Sequence, residues 1–188
     1  MNFDEALIRS RLQAAFDTIA SLSGQAGDIR AIGDAVRNCL DQGGAIYTCG
    51  NGGSAAEALH LAEELIGKYR AARPPRRAVC LNADPTALTC IANDFGFDEV
   101  FARQVEALVR RGDALVVFST SGASPNIVRA LQKARDLGAT TIGLLGREGG
   151  ASLPLCDLPL VVRSQETAHI QEAHQVVLHL ILEAVEAA

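Results

Sequence analysis

Apolar side chains recur at helical spacing over the opening stretch of the chain. Phe3, Leu7, Leu12, Phe16, Ile19 and Leu22 form one stripe, and after the break SGQAG the positions Ile29, Ile32, Val36 and Leu40 form another. Two amphipathic helices are therefore predicted within residues 1–43, packing on the rest of the chain or on a neighbouring subunit. From residue 45 the pattern changes. Short apolar runs lead into small-residue turns and then helical stretches: AIYTC into GNGGS, ALVVF into STSGAS, TIGLL into GREGG. Strand, loop and helix in repetition predict a parallel sheet covered on both faces. AVCL before Asn82 and LPLVV at 158–162 add two more strands, making five. RRGD at 110–113 and DLGA at 136–139 read as helix ends, with basic residues or glycine where C-termini favour them. A last long helix runs from about Gln165 to Ala187, with Ile170, Ala173, Val177, Leu180, Ile181 and Ala184 on one stripe.

Composition fits this picture and narrows it. The 188 residues are 48% hydrophobic and 21% charged, enough for one domain with a real core. The net charge of −5 argues against non-specific binding to nucleic acid or to a membrane surface. It leaves small anions open, because backbone N–H groups at helix N-termini bind them without altering the charge count. The five cysteines, Cys39, Cys49, Cys80, Cys90 and Cys156, form no CxxC or zinc-ribbon spacing and read as small buried hydrophobes in a reducing compartment. MNFDEAL is not a basic region followed by an apolar stretch, and no run approaches a membrane span, so a soluble cytoplasmic protein is expected.

Two loops have the character of anion sites. Gly50-Asn51-Gly52-Gly53-Ser54 follows a strand and opens a helix, so a ligand would meet close backbone and unpaired N–H groups at the carboxyl end of the sheet. Gly50, Gly52 and Ala55 also fit G-x-G-x-x-A. The next acid at a strand end, Asp84, stands some thirty residues on rather than the ~20 of a dinucleotide site, which weighs against that reading. Ser119-Thr120-Ser121-Gly122-Ala123-Ser124 follows another strand, with Ser124 as N-cap and Pro125 at the first helical position. Its four hydroxyls suit phosphate oxygens. The candidate phosphate contacts are therefore Asn51, Gly52, Gly53, Ser54, Ser119, Thr120, Ser121 and Ser124. His60 and Glu64 lie four apart on the helix after the first loop, on one face, where they suit a metal or proton-transfer site.

In order, CGNGGS, HLAEEL, ANDFGFDEVFARQVEAL, FSTSGAS and HIQEAHQVVLHL resemble the sugar isomerase (SIS) domain family, and within it the branch acting on phosphorylated seven-carbon sugars. The resemblance implies a Rossmann-like αβα sandwich around a five-stranded parallel sheet plus N-terminal helices, spanning residues 1–188 as one SIS domain. It implies homotetramers with active sites between subunits. The implied activity is an aldose–ketose isomerisation of sedoheptulose 7-phosphate through an enediol. His60, Glu64, Gln171 and His179 match a zinc site, one ion per active site. Glu64 and His179 match the proton-transfer pair, taken here as base and acid, although a zinc-held carboxylate is a poorer base, so the two roles compete at Glu64. Gln171 and Glu64 also match substrate contacts, and Asn93 and Asp94, read here as loop residues, match positions that touch sugar hydroxyls.

Helix geometry constrains this set. Eight residues separate Gln171 from His179, roughly 12 Å of rise and about 80° around the axis, so one ordinary helix does not aim both at one ion. Either the helix is distorted or two subunits contribute. Glu172, His174 and Gln175 are further polar candidates on the same helix. The basic stretch Lys68 to Arg77 reads as a solvated loop. Lys68 stands where many relatives carry arginine, and Ala168 where some carry an acid. A non-catalytic SIS regulator, such as the tetrameric relative that binds the bacterial replication initiator protein, lacks the glutamate of the His-x-x-x-Glu pair, so Glu64 favours an enzyme. An isomerase of another phosphosugar shares every phosphate-binding feature and differs in the residues that read the sugar.

Overall fold

A computed structural model describes residues 3–187. Helices α1 (Glu5–Ser21) and α2 (Ala26–Asp41) are joined by a short 3-10 turn, Leu22–Gln25, at the predicted break. Alternation then follows: β1 (Ile46–Gly50), α3 (Gly53–Ile66), β2 (Ala78–Cys80), α4 (Pro85–Phe95), α5 (Ala102–Leu108), β3 (Ala114–Ser119), α6 (Pro125–Asp136), β4 (Thr140–Gly146), β5 (Leu158–Val162) and α7 (Thr167–Glu186). The sheet is parallel throughout in the order β2-β1-β3-β4-β5.

Alternate strand residues serve opposite faces. Val116 and Phe118 of β3 join Ile32, Val36, Leu61, Leu65, Val177 and Ile181 in a core under α2, α3 and α7. Leu115 and Val117 join Val105, Ile127 and Leu131 in a second core under α5 and α6. Both faces being covered, β3 is buried at every position, as a parallel strand requires. On α7, Ile170, Val177, Leu178, Ile181 and Leu182 are fully buried, each worth ~1.5–3 kcal/mol. That burial fixes the rotation of α7 and hence the direction of its polar residues.

Two expectations change. Asn93 and Asp94 lie in the last turn of α4, not in a loop. Asp84 caps that helix, its carboxylate accepting from the N–H groups of Thr86 and Ala87 at 2.8 and 3.1 Å, and Pro85 starts it, while Gly96 at φ 90° ends it just past Asp94. Cys90 is exposed on the same helix, whereas Cys49 and Cys80 are buried and Cys39 and Cys156 intermediate; all five are free thiols. The Lys68–Arg77 stretch is the exposed loop expected, but it is also pinned. Arg73 donates to the carbonyls of Glu64 and Leu65, Arg77 to that of Gly43, Arg76 pairs with Asp41 and Arg70 with Glu183. None of these partners is near in sequence except the carbonyls at the end of α3.

Among the described residues no helix is long and apolar enough to cross a membrane. Helix α1 packs along α7 but buries no residue of its own, and Phe3, Leu12 and Phe16 stay 84%, 66% and 65% exposed.

Candidate active site

Strand order reverses direction between β1 and β3, which places the crevice of this sheet at their carboxyl ends. Gly50 is in register with Phe118, so the loops after β1 and β3 leave the sheet side by side. A reciprocal amide pair ties them: Asn51 Nδ2 donates to Asn126 Oδ1, and Asn126 Nδ2 to Asn51 Oδ1, both at 2.9 Å. The side chain of Asn51 is thus occupied in building the site. Gly52 precedes α3 at φ 58°, ψ −122°, a backbone state that needs glycine, and Gly122 at φ 61° lies so close to Gly149 that a side chain would strike its carbonyl.

The hydroxyls divide by role. Ser119 Oγ accepts from Gly122 N–H at 3.0 Å and Ser121 Oγ from Ala123 N–H at 3.2 Å, shaping the turn. Ser124 stands at the N-cap of α6 in extended conformation with no capping bond from its side chain. Ser54 is buried in the first turn of α3 and Thr120 is half-buried.

Helices α3 and α7 pack together and an open depression of about 520 Å³ runs between them. Gly53, Glu57, His60, Gln171 and Gln175 are among its lining residues, so it extends from the first anion loop to His60. The amide of Gln171 rests against Gly53, where a methyl group would displace it. A turn further on, Gln175 Nε2 is 3.1 Å from His60 Nδ1. His60 Nε2 faces Glu64 Oε1 at 3.6 Å, and the His60 ring meets that of His179 edge-on, with centroids 5.3 Å apart. One chain therefore brings His60, Glu64 and His179 together and sets Gln171 beside Gly53.

The donor set suits zinc. Nitrogen and carboxylate oxygen are its ordinary ligands, and two donors on a tetrahedral ion with ~2.1 Å bonds lie roughly 3.4 Å apart. The His60 to Glu64 separation is close to this. Gln175 Oε1 is buried without a partner; turning this amide over brings Oε1 to a protonated Nδ1 of His60 and leaves Nε2 free to ligate, the usual arrangement behind a metal-bound histidine. Glu63, exposed on the same helix, is a candidate donor that sequence reasoning missed: ligand atoms of His60, Glu63 and Glu64 all lie within 4.8 Å of one another, and the spacing in HLAEE is the signal for it.

Two further features went unread. Tyr69 stacks on His179, centroids 5.5 Å apart and planes 16° from parallel. Glu57 and His174, 5% and 0% exposed, face each other at 3.9 Å, too far for a hydrogen bond, and none of their carboxylate oxygens and ring nitrogens is hydrogen-bonded to another protein group. The spacing of Glu57, His60 and Glu64, three and then four apart, was the available clue that they share a face. Asn93 and Asp94 are exposed, bonded to each other at 2.7 Å, and do not line the α3–α7 depression.

Comparison with known proteins agrees with this architecture. The SIS domain family profile matches residues 12–146. A phosphoheptose isomerase of Solidesulfovibrio magneticus is 53% identical over 147 residues, 78% of this chain and 72% of that protein. One from Campylobacter concisus is 44% identical over 184 residues, 98% and 97% of the two chains. The solved phosphoheptose isomerase of Francisella tularensis superposes with a TM-score of 0.94 at 33% identity, covering 97% of this chain and 98% of its own. With the profile and these relatives spanning most of its length, the chain belongs to the SIS domain family, on its phosphoheptose isomerase branch.

Proposed function

We propose that this chain isomerises sedoheptulose 7-phosphate to D-glycero-D-manno-heptose 7-phosphate through an enediol. The observation that carries the reading is the meeting of His60, Glu64 and His179 at one end of a depression whose other end is the glycine-rich loop. Seven residues of helix separate Gly53 from His60, about 10 Å. A substrate spanning both needs its anion and its reacting carbons at opposite ends, as a seven-carbon ketose 7-phosphate has.

The phosphate is held by backbone N–H groups at the starts of α3 and α6 and by the hydroxyls of Ser54, Thr120, Ser121 and Ser124. Glu64 removes a proton from C1, the electron pair enters the C1–C2 bond, and the C2 carbonyl oxygen takes a proton. His179 then protonates C2 as the C1 hydroxyl loses its proton and becomes the aldehyde. The isomerisation leaves no net change in protons, and both groups reset through solvent. His60, Glu64, Gln171 and His179 are the residues that would hold one zinc ion, which when bound polarises the substrate's carbonyl.

The oligomer belongs to the same proposal. The apolar face left open on α1 suits a second copy of the chain, and assembly into a homotetramer carries the exposed Asn93 and Asp94 toward a neighbour's site. Residues 1–188 then form one SIS domain but only part of one active site. Incubating chelator-washed and zinc-restored protein with sedoheptulose 7-phosphate tests the reading. Aldose formed only after zinc is restored supports it; none under zinc-replete conditions overturns it.

A further inference from the structure

The cationic stretch after α3 is a hairpin of backbone with few apolar anchors, yet it is held at both sides. Glu186, at the end of α7, accepts from the N–H groups of Tyr69, Arg70 and Ala71 at 3.2–3.3 Å. Burial opposes ionisation of this carboxyl, but those three N–H groups and Arg73 outweigh it and hold it below the ordinary carboxylate range. Arg73 closes the other side. Its Nε lies 3.5 Å from Glu186 Oε1, Nη1 donates to Leu65 O at 2.9 Å, and Nη2 donates to the carbonyl of Glu64 itself at 2.7 Å. Both side chains are about nine-tenths buried.

The residue that this clamp fixes most directly is Tyr69. Its ring packs on the core beside α7 and lies nearly parallel to the imidazole of His179, while the Arg70 guanidinium sits 5.0 Å from its centroid and is itself paired with Glu183 at 2.8 Å. A stacked ring leaves an imidazole little freedom to turn about its Cβ–Cγ bond, and among the described residues the edge of His60 is the one other aromatic contact of His179.

We propose that Tyr69 is a positioning residue for His179, and that Arg73 and Glu186 form the clamp that holds it there, tying the acid on α7 to the backbone of the base on α3. This inference rests on the reading of His179 and Glu64 as the proton-transfer pair. Tyr69 acts through its ring face, so Tyr69→Phe keeps the function and Tyr69→Leu loses it. Glu186→Ala, which frees the loop without touching the ring, acts in the same direction as Tyr69→Leu.

The experiment combines steady-state kinetics with NMR of ¹³Cε1-labelled histidine in the resting protein, the His179 signal being assigned by its loss in His179→Gln. Expected are a fall in kcat of about tenfold to a hundredfold for Tyr69→Leu and Glu186→Ala with KM little changed, as for a displaced reacting group. A shifted His179 resonance should accompany the fall, with recovery of both in Tyr69→Phe. A wild-type kcat in Tyr69→Leu, a rise in KM alone, or an unmoved His179 resonance would overturn the proposal. Should the wild-type chain turn over no sedoheptulose 7-phosphate, the functional reading fails, while the His179 resonance still decides whether Tyr69 and its clamp set that ring.

Discussion

Asn51 and Asn126, 75 residues apart in sequence, exchange a reciprocal pair of amide hydrogen bonds across the mouth of the sheet. The pair locks the loop after β1 to the second residue of α6. Asn126 is 1% exposed and Asn51 half-buried, so removing Asn126 leaves a gap and takes from the Asn51 amide its partner on α6. Asn126→Ala is expected to cost about 1–3 kcal/mol, read from urea unfolding. It should also raise KM for the phosphosugar more than it lowers kcat, because the defect lies in the anion loops.

Two glycines of the first loop should separate stability from function. A methyl group at Gly50 meets the backbone of Ser54 and the start of α3, which has nowhere to go. At Gly53 it meets the end of the Gln171 side chain, which can swing away. Thermal unfolding of Gly50→Ala should fall well below wild type. Gly53→Ala should stay close to wild type while losing activity and zinc affinity, and unchanged activity in it would remove Gln171 from the site.

The buried Glu57–His174 pair sits beneath the site, in the interior between α3 and α7. Removing one member leaves the other buried with nothing facing it, so Glu57→Ala is expected to cost about 1–3 kcal/mol. The double variant Glu57→Leu with His174→Leu should recover most of that loss in a denaturation cycle. A double variant as unstable as the sum of the singles would mean that the two side chains do not act as a pair.

Metal content offers a test free of turnover. Zinc-titrated protein should hold one ion per chain by elemental analysis, and His60→Ala should hold none at the same free zinc. Wild-type stoichiometry in that variant would move the ion elsewhere.

Much of this was legible in the sequence, for physical reasons that differ from residue to residue. Runs such as ALVVF announce a strand covered on both faces, and GNGGS and STSGAS are punctuated by residues whose conformations only turns and helix starts need. His60 and Glu64 were readable because four residues on one helix is a local distance. Asn93 and Asp94 were misplaced because Asn and Asp usually mark turns, whereas here the Asp84 cap and Pro85 start a helix that carries on to Phe95. The contact of Tyr69 with His179, and of Arg73 with Glu186, spans more than a hundred residues and follows from how α7 rolls onto the sheet. No local pattern encodes that rotation. The same holds for Gln175 reaching His60 while Gln171 rests on Gly53.

The two-group enediol chemistry is tested most directly by running the isomerisation in D2O and locating deuterium in the product by NMR. Aldose carrying solvent deuterium at C2, formed with zinc present and reduced by about 10² to 10⁴ in Glu64→Gln, is the expected result. Aldose that retains protium at C2, or a Glu64→Gln variant as fast as wild type, would contradict the assignment of Glu64 and His179.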